Sequence, residues 1–257
     1  MDTNKVTLPD VDKWQVQVLR LTLFPTPAAK INEPNWWSDL TGAKPEERTL
    51  RPSKEELHEE GLFDKGILSL DVRPFRIDWL FSKATDEEGF ASSYPTLGLF
   101  TEATDKFHKL MLTWLNSPSA PPAVRIAFGA ILLQPIDSHV SAYTLLNSYL
   151  PNVTVSPDTK DFLYQINRPT KSQSSHFEQL ELNRLSKWAC VKFQRRTLDL
   201  GPTAQAFSTG KTNYACRLEL DFSTPGEISN ELNHAHIGDV FTELVNLGKE
   251  VARKGDV

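Results

Sequence analysis

The chain has 257 residues, 39% of them apolar and 24% charged, proportions of an ordinary folded domain that exclude collagen-like, mucin-like and wholly disordered classes. A formal net charge of −5 gives no long-range attraction to phosphate backbones, so nucleic acid is not the expected partner. No apolar run reaches the ~18 residues of a membrane span, the polar start Met1-Asp2-Thr3-Asn4-Lys5 lacks a signal-peptide core, and only Cys190 and Cys216 occur, so the expected setting is the reducing cytoplasm, away from any membrane.

From Trp14 to Phe24, Val16 and Val18 alternate with Gln15 and Gln17 before both faces turn apolar, the pattern of a strand entering a core. Pro25, Pro27 and Pro34 then predict an extended loop holding Trp36 and Trp37. Ser53-Lys54-Glu55-Glu56 has capping-box spacing and predicts a short acidic helix to about Glu60. Strands follow at Ile67–Arg73 and Arg76–Phe81, separated only by Pro74-Phe75, close enough for a hairpin. Leu97, Phe100, Phe107, Met111 and Trp114 fall on one stripe of a core-facing helix.

The run Asn116-Ser117-Pro118-Ser119-Ala120-Pro121-Pro122 breaks that helix and marks the best internal boundary. Val124–Leu133 is apolar on both pleat faces, as a central strand should be. A helix is expected from Ser138 to Leu150 with Asp137 as its cap, then irregular loop from Pro151 to Ser175. Three strands follow at Phe177–Arg184, Ala189–Leu198 and Tyr214–Phe222. In the last, Cys216, Leu218, Leu220 and Phe222 alternate with Arg217, Glu219 and Asp221. Thr224-Pro225-Gly226-Glu227 predicts the start of a terminal helix whose apolar stripe includes Leu232, Val240, Phe241, Leu244 and Val251.

These elements predict an α+β fold, a largely antiparallel sheet with long helices packed on it. Both 1–117 and 118–257 read strand, helix, several strands, long helix, which suggests two topologically similar halves, in one domain or two.

Few groupings in the sequence carry chemistry. Ser208-Thr209-Gly210-Lys211-Thr212 ends like a phosphate-binding loop, but Gln205 stands where the first glycine belongs and a strand follows where a helix is required. On a terminal helix His236, Asp239 and Glu243 share a face and have metal-ligand spacing, although a solvated helix face produces the same pattern. Glu219 and Asp221 near Lys192 resemble a Mg²⁺-dependent phosphodiester hydrolase site, and equally a set of cross-strand ion pairs. Arg195-Arg196, with Lys187 and Lys192, is a short basic group on strands. No nucleophile elbow or dinucleotide fingerprint occurs, and no cofactor is implied. Trp36-Trp37 in its Pro-rich loop either projects outward as an anchor for a protein partner or folds back as a lid over the core.

The segment Pro122-Ala123-Val124-Arg125-Ile126-Ala127-Phe128-Gly129-Ala130-Ile131-Leu132-Leu133-Gln134-Pro135, and Leu218-Glu219-Leu220-Asp221-Phe222 with the helix after it, resembles a family of sporadically distributed, uncharacterised bacterial proteins of similar length. The resemblance implies a bacterial accessory protein from a mobile or defence locus and carries no catalytic residues. The expected function is therefore a non-enzymatic interaction or scaffold subunit that binds a protein partner through Trp36 and Trp37. A metal-dependent phosphodiester hydrolase and a small-ligand sensor stand as alternatives.

Overall fold

Leu19, Leu21 and Leu23 point to one side of a strand and Arg20 and Thr22 to the other, and the whole protein is built outward from that strand. In the computed structural model, which describes residues 8–29, 31, 34–84, 94–156, 158–177, 179–193, 196–199, 205–208, 212–226 and 231–256, this is β1 (Gln15–Pro25). It lies between β5 (Arg76–Ser82) and β6 (Ala123–Ile136), antiparallel to both.

Beyond β5 the sheet continues through β4 (Gly66–Arg73) and β3 (Glu56–Phe63) to the edge strand β2 (Glu47–Arg51). On the other flank β6 is followed by β12 (Asn213–Ser223), β9 (Glu181–Phe193) and the edge strand β7 (Leu163–Asn167), while β8 (Thr170–Lys171) pairs with β9. Among the described residues every pairing is antiparallel, and these ten strands form a single sheet that crosses the Pro-rich segment at 116–122. A separate hairpin joins β10 (Arg196–Asp199) to β11 (Gln205–Ser208).

One face of the sheet carries the helices. The helix α2 (Phe100–Leu115, 16 residues) buries Phe100, Phe107, Met111 and Trp114 along one stripe. In α3 (His139–Tyr149) the buried residues are Ala142, Tyr143, Leu146 and Tyr149, and its start is capped by Ser138, whose hydroxyl accepts from the Ser141 N–H. The 18-residue α4 (Ile237–Lys254) buries Val240, Phe241, Leu244 and Val251. Each such apolar side chain contributes ~1.5–3 kcal/mol when removed fully from water. Close approach of α4 depends on Gly248, where a Cβ would come 2.9 Å from the Phe128 ring. Two aromatic clusters anchor the layer. Trp14, Tyr149 and Trp188 meet at centroid separations of 5.4–6.1 Å, and Trp114 takes Trp36 and Trp79 edge-on at 5.4 and 5.7 Å.

The hairpin expected at 67–81 is present as β4 and β5, but other expectations need correction. Residues 53–60 form no α-helix. A 3₁₀ turn at Pro52–Lys54 ends at Glu55 with a left-handed φ of 54°, and β3 follows. The acidic run has helical propensity, yet β3 gains ladder bonds to β2 and β4 on both sides and buries Leu57, so pairing outweighs propensity. The expected strands at 177–184 and 189–198 are largely one strand, β9, and the stretch at 151–175 contains β7 and β8. Thr224 is fully buried, its hydroxyl accepting from the Ile126 N–H, and α4 begins only at Ile237. Glu227 and Ile228, placed in that expected helix, lie outside the described residues. No helix among the described residues is long and apolar enough to cross a membrane.

Candidate functional site: the uncovered face of the sheet

Trp36 and Trp37 are not surface anchors. They open α1 (Trp36–Thr41) and are 5% and 1% exposed. The Trp36 indole N–H donates to the Ser119 carbonyl at 3.1 Å, and that of Trp37 to the Leu68 carbonyl at 3.2 Å. Gly61 leaves room for the Trp37 ring, since a Cβ there would lie 3.0 Å from it. A buried indole brings a large apolar area and must satisfy one donor, and both residues do so inward. The partner-binding role assigned to this pair is therefore corrected to a packing role.

The carboxylates of β12 sit on the helix-free face and are neutralised by neighbours. Glu219 meets Lys187 at 3.3 Å and Arg217 at 3.1 Å, and Asp221 meets Arg20 at 3.4 Å. Lys192 pairs in register with Tyr214, whereas Lys187 pairs with Glu219. Five residues along β9 put Lys192 on the opposite face, about 17 Å further along the strand. Glu219, Asp221 and Lys192 thus do not converge, and the ion-pair reading describes this group. Of the basic residues, Lys187 is taken by Glu219, while Arg195 lies outside the described residues, as do Thr209, Gly210 and Lys211. Cys190 and Cys216 stand opposite one another in register, and burial raises both thiols, Cys216 to about 12, which suppresses thiolate chemistry.

His236 and Asp239 do come together, with Nδ1 and Oδ2 3.2 Å apart, but Glu243 turns away to hold Ser172 and Gln173. The third potential ligand is instead His176. No local sequence signal places His176 beside α4, because the contact is made by a loop distant along the chain.

Among the described residues no helix packs on the uncovered face, which is richest in polar groups on the β2–β5 side. Thr49, His58, Asp71, Asp78 and Thr22 occupy one register row across β2, β3, β4, β5 and β1. The His58 Nδ1 lies 2.9 Å from Asp71, and its Nε2 faces Glu60 at 4.0 Å. Asp78, 5% exposed, accepts from the Thr22 hydroxyl at 2.6 Å and from Arg76 at 2.5 and 2.9 Å. A shallow depression of about 320 Å³ opens over this row, lined by Thr49, Arg51, Glu56, His58, Asp71 and Arg73 among others. The Thr49 hydroxyl donates to Glu47 at 3.5 Å, and carboxylates face both nitrogens of His58. Among the described residues of the row, the only hydrogen bond of the His58 ring is to Asp71, and no hydroxyl bonds that ring.

At the end of this face Arg73 and Arg76 stand directly opposite across the β4–β5 turn, and Phe75 between them is 72% exposed. Arg76 is held by Asp78. Among the described residues no ion pair involves Arg73. Farther along the same end Arg125 bonds the Ser223 hydroxyl at 3.1 Å and lies 4.8 Å over the Phe24 ring. Pro74-Phe75 forms the turn expected between these strands, and the signal for the exposure of Phe75 is the shortness of this connection between two apolar strands.

No protein family, no curated protein and no solved structure matches the chain.

Proposed function

We propose that this chain is a non-enzymatic interaction subunit that docks a protein partner on the uncovered sheet face, with Phe75 as its apolar anchor and Arg73 as its charged contact. The observation that carries this reading is the 72% exposure of Phe75 beside an arginine without a carboxylate partner among the described residues. Phe75 stands in a two-residue turn closed by the Arg73–Arg76 pair, and aromatic residues and arginine dominate interface energetics. Arg73 and Arg76 repel one another across the ladder, so the matching surface is an apolar pocket with acidic side chains at its rim. The reading extends to 1–117 and 118–257 as topologically similar halves, β1 with β5 then α2, and β6 with β12 then α4. It also extends to a cytoplasmic setting, suggested by the two unpaired cysteines, and to a bacterial accessory or defence system, as the family resemblance implies.

Affinity capture from native lysate should recover a stoichiometric protein partner. Measured with purified components, Phe75→Ala with Arg73→Ala should weaken that complex at least about tenfold, equivalent to 1.4 kcal/mol, while leaving the melting temperature unchanged. Raised salt should weaken the wild-type complex more than the variant. Recovery of no such partner, or wild-type affinity in the double variant, removes the proposal.

A further inference from the structure

The loop between β8 and β9 is drawn onto the first two turns of α4. Glu243 accepts from the Ser172 hydroxyl at 2.5 Å and from the Gln173 N–H at 2.7 Å. The Ser172 hydroxyl accepts from the Ser174 N–H at 3.1 Å, and the Ser174 hydroxyl from the His176 N–H at 3.3 Å. This chain of bonds fixes where His176 falls. Its ring lies face to face on that of His236, with centroids 3.5 Å apart and planes 8° from parallel. One ligand atom from each of His176, His236 and Asp239 lies within 4.8 Å of the other two.

We propose that His176, His236 and Asp239 bind a divalent transition-metal ion of the Zn²⁺ class, with the fourth tetrahedral position left to water or a small anion. Two imidazoles and one carboxylate suit Zn²⁺, Co²⁺ and Ni²⁺, whereas Mg²⁺ and Ca²⁺ require more oxygen ligands. The 3.2 Å between His236 Nδ1 and Asp239 Oδ2 matches the ~3.3 Å separating two ligands of a tetrahedral ion with bonds of ~2.0 Å. Imidazole donates its lone pair in the ring plane, so one ion cannot bond both rings while they are stacked, and binding requires the exposed His176 ring to turn out of the stack about its side-chain bonds. The N-terminus of α4 carries partial positive charge that opposes a cation, and Asp239 in the first turn offsets it. Glu243 supports the set from behind by fixing the loop, the part that outer groups play at metal sites. The ion fastens the β8–β9 loop to α4, on elements separate from the Phe75 face, so this inference stands independently of the docking proposal.

The test uses the full chain, treated with EDTA, dialysed, and titrated with Zn²⁺ by calorimetry and with Co²⁺ by visible absorption. The expected result is uptake of one ion per chain, a four-coordinate Co²⁺ spectrum, and a melting temperature raised by Zn²⁺ and unmoved by Mg²⁺. His176 and Asp239 are both exposed, so His176→Ala and Asp239→Asn should keep the apo melting temperature and each weaken Zn²⁺ at least about tenfold. Absence of Zn²⁺ and Co²⁺ uptake by the wild-type chain overturns the proposal, as does unchanged uptake in both variants.

Discussion

The guanidinium of Arg20 lies over the bare backbone of Gly129 and reaches the carboxylate of Asp221 at 3.4 Å, joining β1 to β12 across the intervening β6. A Cβ at position 129 would come 3.1 Å from Arg20 Nε. Arg20 is a flexible, partly exposed side chain and its ion pair is exposed, so Gly129→Ala should change stability by less than about 1 kcal/mol. Gly66 is the contrast. A Cβ there would lie 2.4 Å from the Ser82 carbonyl oxygen and 2.5 Å from Leu97. Backbone cannot move aside like a side-chain tip, so Gly66→Ala should cost about 1–3 kcal/mol. Urea denaturation of the two variants measures the difference.

Asp256 should control the acid limb of stability. It is 4% exposed, receives two bonds from Arg168 at 2.5 and 3.0 Å and one from the Tyr164 hydroxyl at 2.8 Å, and Arg168 first of all holds its carboxyl below the usual range. A lowered folded pKa gives stability that is present above the unfolded value of about 3.9 and lost as pH falls through the folded value. Arg168→Leu should cost about 2 kcal/mol at neutral pH, less than a fully buried pair because Arg168 is partly exposed. The difference from wild type should shrink below about pH 4, as read from denaturant midpoints across pH.

Glu59 has the opposite sign. Its side chain is buried, and desolvation raises its pKa despite Arg48 at 3.2 Å. A raised carboxyl pKa gives stability present below the unfolded value of about 4.3 and lost as pH rises through the folded value. Above its raised folded pKa the carboxylate is therefore a burden that Arg48 relieves in part. Glu59→Gln should be neutral or stabilising by up to about 1 kcal/mol, while Arg48→Ala, which leaves the carboxylate buried and unpaired, should cost about 1–3 kcal/mol. A destabilised Glu59→Gln together with a neutral Arg48→Ala would contradict this assignment.

Trp36→Ala and Trp37→Ala should each cost about 3–5 kcal/mol, the range for emptying a buried tryptophan site. Phe75→Ala should leave thermal stability unchanged. A tryptophan variant that melts like the wild type would return that residue to the surface.

The sequence reveals elements whose period belongs to one structure only. β12 is legible because Cys216, Leu218, Leu220 and Phe222 alternate with charged residues whose partners are Lys187 on the adjacent β9 and Arg20 on β1, one strand beyond β6. α2 is legible from its stripe. β3 is not, because its glutamates favour helix locally and only pairing with β2 and β4 makes it a strand. The short β7, with no face fully buried, likewise depends on β9 for its existence. At the candidate sites, His236 and Asp239 are visible as helix neighbours. His176, the register row through His58 and the inward turn of Trp36 and Trp37 arise from long-range packing that local spacing does not encode.

β1 bonds to β5 on one flank and to β6 on the other, so the middle of the sheet is closed by residues far apart along the chain, with Gln15 opposite Leu133 and Leu23 opposite Ile126. Chain entropy must be surrendered over that span before any of these bonds rewards it, which makes the assembly slow and dominated by non-local closure. A fragment stopping before β6 would leave β1 with an unpaired, leucine-rich margin, and it should self-associate where the full chain stays dispersed.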